Sequence, residues 1–212
     1  MKTVLCYGDS LTWGSDAATR GRHGLADRWP SVLADHLGDI VHVVAEGLGG
    51  RTTAYDDLTA PGERNGTRIL PTLLSSHAPL DLVILMLGTN DLKPGVAGQA
   101  IDARRGMERL VEIVQHHAWP LVMERPEILI VAPPIIVETA DPIFSAIYRG
   151  SIEESHMLAS YYADLADETG CGFYDTASVA VATPLDGVHL DAENTRAIGK
   201  GLAPIVRVML GL

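Results

Sequence analysis

A serine at position 10, an aspartate at 186 and a histidine at 189 are the residue types of nucleophilic acyl chemistry. A hydroxyl attacks only when a base takes its proton, and a neutral imidazole is suited to that task near neutral pH. Asp186 precedes His189 by three residues. At that spacing one turn lets the carboxylate hold a ring N–H and fix the tautomer. Gly49 and Gly50 let a backbone approach a ligand and present an N–H, and Asn90 offers an amide donor. With the N–H of Ser10 these make an oxyanion hole, in which each donor is worth roughly 3–4 kcal/mol. Taken singly, every piece has an ordinary explanation. Gly8-Asp9-Ser10 and Asp186-Gly187 favour turns, Gly49-Gly50 suits a loop, and Asn90-Asp91 suits a helix cap.

The elements that must position these residues decide the matter. Residues 3–7, 40–45, 82–87, 128–132 and 172–174 read as strands. The run LVILML at 82–87 is apolar throughout, as in a strand buried on both faces. Residues 28–37, 69–76, 101–117 and 152–169 read as helices, and Asp191 caps a last helix running to about Leu210. This alternation predicts a three-layer α/β/α domain built on a five-stranded parallel sheet. Ligands of such sheets bind beyond the carboxyl ends of the strands. The stretches GDSLTWG, EGLGGRTT and GTND follow the first three strands, and DGVHL follows the fifth after a short loop. All four therefore converge on one edge.

In that order the four stretches resemble the blocks of the SGNH (GDSL) hydrolase family. Ser10 matches the serine of the first block, Gly50 the glycine of the second, Asn90 the asparagine of the third, and Asp186 and His189 the last pair. CYGDSLTWG, EGLGGRTT, LDLVILMLGTND and DGVHL are similar above all to the bacterial arylesterase and acyltransferase branch. The resemblance spans residue 3 to about 200. It implies a flavodoxin-like sheet of order 2-1-3-4-5, ester hydrolysis without a cofactor or metal, and a homo-oligomer. On this reading Ser10, Asp186 and His189 are catalytic, and Ser10, Gly50 and Asn90 hold the oxyanion. Asp9, Leu11, Trp13 and Gly49 are weaker candidates for substrate contact, and Asp9 also suits a brace of the serine loop.

The chain is expected to form one domain, residues 1–212, with insertions at 58–68 and 134–150. The second insertion carries Ile135, Ile136, Ile143, Phe144, Ile147 and Tyr148, which suits a pocket wall or a subunit contact. A net charge of −11 over 212 residues argues against nucleic acid as a partner. No stretch reads as a signal peptide or a membrane span. Cys6 and Cys171, in apolar contexts, read as buried free thiols of a cytoplasmic protein. The expected substrate is a small ester, with water or an alcohol as acceptor. Carbohydrate deacetylase and thioesterase readings stay open. So do a metal-dependent phosphoesterase, which needs more His and Asp at the strand ends, and a non-catalytic binder of acylated ligands.

Overall fold

A computed structural model describes residues 1–120 and 122–212. Strand β1, Lys2–Gly8, pairs in parallel with β2, Val41–Gly47, on one side and with β3, Leu82–Met86, on the other. Strands β4, Glu127–Ala132, and β5, Gly172–Asp175, extend the sheet, again in parallel. The order is β2-β1-β3-β4-β5, the flavodoxin-like arrangement.

Side-chain alternation along these strands divides the core in two. Leu5, Tyr7, Val83, Leu85 and Ile130 point to one face. There they meet helices α2, Gly66–His77, α3, Ala100–Gln115, and α4, Ser151–Thr169. Val4, Cys6, Leu82, Ile84, Met86, Leu129 and Val131 point to the other. They are covered by α1, Trp29–Leu37, and α5, Ala192–Leu210. Every residue of β3 is buried, which explains its unbroken apolar run. Pro30 sits in the first turn of α1, and Asp191 caps α5 by accepting from the Asn194 N–H.

Several local expectations are corrected. Helix α2 starts earlier than residue 69, because Asn65 caps it by accepting from the Thr67 N–H. The inserted segment at 58–68 therefore gives its last three residues to the helix. Helix α3 stops at Gln115, so His116 and His117 lie just past it. The segment at 134–150 is partly helical. Asp141 accepts from the N–H groups of Ile143 and Phe144 and caps a short helix, Pro142–Ile147. A small hairpin, Ser15–Asp16 with Gly21–Arg22, follows the serine turn and had no clear pattern in the sequence. Cys6 and Cys171 are both free; Cys6 is fully buried, and Cys171 is partly buried. Among the described residues no helix is long and apolar enough to cross a membrane.

Candidate active site

Strand β1 ends at Gly8, and the chain turns at once into a one-turn helix, Ser10–Trp13. Asp9 caps that turn, its carboxylate accepting from the Leu11 N–H at 2.9 Å. Ser10 thus occupies the first helical position, where a backbone N–H has no acceptor within the helix. Its hydroxyl lies 2.9 Å from His189 Nε2. His189 Nδ1 in turn lies 2.7 Å from Asp186 Oδ2. The other Asp186 oxygen accepts from the N–H groups of Val188 and His189, both at 2.9 Å. Partial burial pushes the Asp186 carboxyl up, but the bonds from the His189 ring and these N–H groups outweigh it and hold the group below the usual carboxylate range. Asp186 stays ionised, and Nδ1 must carry the proton. Nε2 is then free to accept from the Ser10 hydroxyl. The three residues form one continuous hydrogen-bonded chain, in which the proton that moves is the one between Ser10 Oγ and His189 Nε2.

Asn90 lies in the turn Thr89–Leu92 that follows β3. Its Nδ2 donates to the Arg51 carbonyl at 3.1 Å and to Asp9 Oδ2 at 3.3 Å. Gly50 adopts the left-handed backbone, φ +80°, in the turn after β2, which suits glycine. Arg51 is buried, its guanidinium donating to the carbonyls of Gly8 and Glu46 and stacking 4.1 Å from the Tyr7 ring. It braces the ends of β1 and β2 against each other.

The weaker candidates separate. Trp13 lines a cleft of about 530 Å³ together with Asp16, Arg20, Ile143, Phe144 and His189. Gly49 has open space around it. Asp9 and Leu11 face inward, 1% and 4% exposed. Leu11 packs into the core beside Trp29 and Leu33, and Asp9 is an internal brace.

Three contacts go beyond what the sequence offered, which was a pocket wall or subunit contact for Phe144 and Tyr148 and a helix cap for Asp91; Phe144 does line the cleft. Phe144 presents its ring edge-on to His189, with centroids 5.9 Å apart. Tyr148 donates from its hydroxyl to Asn90 Oδ1 at 3.1 Å. Asp91 accepts from the N–H of Thr53 at 3.1 Å and from its hydroxyl, tying the loop after β2 to the turn after β3. Desolvation pushes Asp91 up to about 7 and Asp9 up to about 6. Among the described residues no group of three or more His, Cys, Asp or Glu is placed to hold a metal ion.

Comparisons with known proteins agree with this architecture. The model of the GDSL-like lipase/acylhydrolase family matches residues 6–196. A carbohydrate acetylesterase family member from Sinorhizobium meliloti is 63% identical, each chain fully covered, with a TM-score of 0.98. The native aryl esterase of M. smegmatis is 39% identical over 99% of this chain and 100% of that one, with a TM-score of 0.94. A second carbohydrate acetylesterase from Sinorhizobium meliloti is 37% identical over the same shares, with a TM-score of 0.94. A search of curated proteins finds no match.

Proposed function

The chain belongs to the GDSL-like lipase/acylhydrolase family and is a carboxylic ester hydrolase; from that premise we propose a serine esterase for small acyl esters, working through an acyl-enzyme. His189 takes the Ser10 proton as Oγ attacks the ester carbonyl, and Asp186 stabilises the imidazolium. The N–H groups of Ser10 and Gly50 and the Asn90 amide hold the oxyanion. For Asn90 this means exchanging the longer of its two bonds, the one to Asp9, for the developing charge. The alcohol leaves with a proton from His189, and water or a second alcohol resolves the acyl-enzyme. No step calls for a cofactor. The observation that carries the reading is the unbroken chain from Asp186 Oδ2 through the imidazole to Ser10 Oγ, at 2.7 and 2.9 Å.

An organophosphonate is expected to add one equivalent of mass to the peptide holding Ser10, and Ser10→Ala is expected to abolish turnover of nitrophenyl esters. Labelling elsewhere, or full activity in Ser10→Ala, overturns the assignment. A panel of esters varied in acyl and alcohol parts then defines the substrate.

One observation favours a narrower reading, an O-acetylated sugar. The cleft beside His189 combines the flat apolar Trp13 with the charged Asp16, Arg20 and Asp141, a mixture suited to sugar faces and hydroxyls. The 63% identical protein described as a carbohydrate acetylesterase family member points the same way. Faster turnover of an acetylated oligosaccharide than of an aryl acetate of equal leaving-group pKa supports this reading. Acyl transfer and assembly into a homo-oligomer belong to the same proposal. The free Cys6 and Cys171 support a reducing, cytoplasmic setting.

A further inference from the structure

Asn90 can act on an oxyanion only if its amide faces the right way, since a flip by half a turn would present the carbonyl oxygen instead. The two sides of the amide meet different chemistry. On one side lie the Arg51 carbonyl and the Asp9 carboxylate, at 3.1 and 3.3 Å. A carbonyl can only accept, and an ionised carboxylate can only accept, so this side calls for the NH2 group. On the other side, 3.1 Å from Oδ1, lies the hydroxyl of Tyr148. Tyr148 is buried and its hydroxyl stays protonated; with the NH2 group drawn to the two acceptors, Oδ1 is what faces this hydroxyl, which therefore donates to it.

Tyr148 is itself held in place. It closes the helix Pro142–Ile147, its N–H donating to the Phe144 carbonyl at 2.9 Å. Its carbonyl accepts from the Ser151 N–H at 3.0 Å, at the start of α4. Its ring stacks on Phe144 at 6.2 Å and 14°, and Lys93 Nζ lies 5.5 Å from its centroid. A hydroxyl on a ring this constrained marks a fixed point in space.

We propose that Tyr148 is a positioning residue for the oxyanion hole, its hydroxyl locking the Asn90 amide with the NH2 group toward the reacting carbonyl. The inference rests on Asn90 being an oxyanion donor. Tyr148 touches neither Ser10 nor His189 through its hydroxyl; it acts through Asn90. The segment at 134–150, which lies outside the sheet, thereby completes the machinery at the strand ends.

A double-mutant cycle tests this. Tyr148→Phe keeps the ring and removes the donor. It is expected to lower kcat about tenfold, the scale of one hydrogen bond, with KM changed by less than about twofold and with active sites counted by phosphonate labelling. In an Asn90→Ala background the same substitution is expected to change kcat by less than about twofold, because nothing remains to orient. A purely structural role lowers the count of active sites or the melting temperature and leaves kcat per site unchanged. If Tyr148→Phe does not fold, Tyr148→Met removes the donor at similar volume and is expected to give the same pattern. An unchanged kcat in either variant overturns the inference, as does an undiminished tenfold loss in the Asn90→Ala background. If Asn90→Ala alone keeps full kcat, Asn90 is not an oxyanion donor, and that reading fails together with the lock built upon it.

Discussion

Two side chains at the strand ends are exposed to opposite risks, Asn90 of losing its direction and Asp91 of losing its charge. On the proposed mechanism, Asn90→Ala removes an oxyanion donor, which acts most strongly in the transition state. A loss in kcat of about 10²–10³ with little change in KM is expected, measured by steady-state kinetics on an aryl acetate. A loss confined to KM recasts Asn90 as a binding residue. Asp91 carries its risk into stability. Burial raises its pKa to about 7, so the folded protein holds this proton more tightly than the unfolded chain, whose carboxyl titrates near about 3.9. Folding stability from this group therefore falls as pH rises from about 4 to about 7 and stays reduced above. Asp9, raised to about 6, acts in the same direction; Asp186, held low, acts in the opposite one and only at acid pH. Asp91→Asn, neutral throughout, is expected to lose less stability than the wild type between pH 5 and pH 8 in urea titrations. Equal slopes for the two proteins would remove Asp91 from the account. The sequence offered Ser10 and Asn90 as chemically distinctive types just past strand ends, and Asp186 with His189 as an acid–base pair in the loop beyond the last strand. It offered Tyr148 only as part of a pocket wall or subunit contact; the bond to Asn90, made across 58 positions by tertiary packing alone, had no signal in the sequence.

Elements carry these side chains only as accurately as the strands beneath them allow. The serine turn is seated directly on the end of β2. A Cβ placed on Gly47 meets the Trp13 nitrogen at 2.2 Å and the Thr12 carbonyl carbon at 2.6 Å. Both are backbone atoms, so neither can swing aside. Gly47→Ala is expected to push the turn and Ser10 with it, costing about 10²-fold in kcat/KM. The same assay with a melting curve checks it: an intact fold with unchanged kcat/KM shows that the contact can yield. The sheet itself was legible, since LVILML admits few placements other than a central strand, and the strand order followed from the family resemblance. Less legible were short elements set by a cap instead of a period. The helix Pro142–Ile147 has too few turns to show a pattern, and its one signal is Asp141-Pro142. The start of α2 hung on Asn65, which reads equally well as part of a polar loop.

At the scale of the whole molecule, the segment at 134–150 has one side turned inward and one outward. Inward, Phe144 meets His189 and Tyr148 meets Asn90. Outward, Ile143 is 66% and Ile147 42% exposed, and Leu185 nearby on the cleft wall is also exposed. Apolar side chains at the rim of a cleft gain by being covered, at roughly 25 cal/mol per Å² removed from water. A second copy of the chain is the expected cover. Each protomer carries a net charge of −11, which opposes association until salt screens it. Screening lengths of about 8 Å at physiological ionic strength leave a short-range apolar contact in control. Assembly is therefore expected to strengthen from low to moderate salt, as read by sedimentation velocity. A neighbour at this rim is expected also to restrict water at the proposed acyl-enzyme and so to favour an alcohol as acceptor. Replacing Ile143 and Ile147 with serine leaves Phe144 and Tyr148 in place. Two results are expected together: a smaller sedimentation coefficient and a lower ratio of acyl transfer to hydrolysis in water–alcohol mixtures. A wild type that already sediments as a monomer overturns the subunit contact. A ratio that stays constant while the assembly dissociates shows that water is excluded by the segment itself, and that the chemistry of the cleft belongs to a single chain.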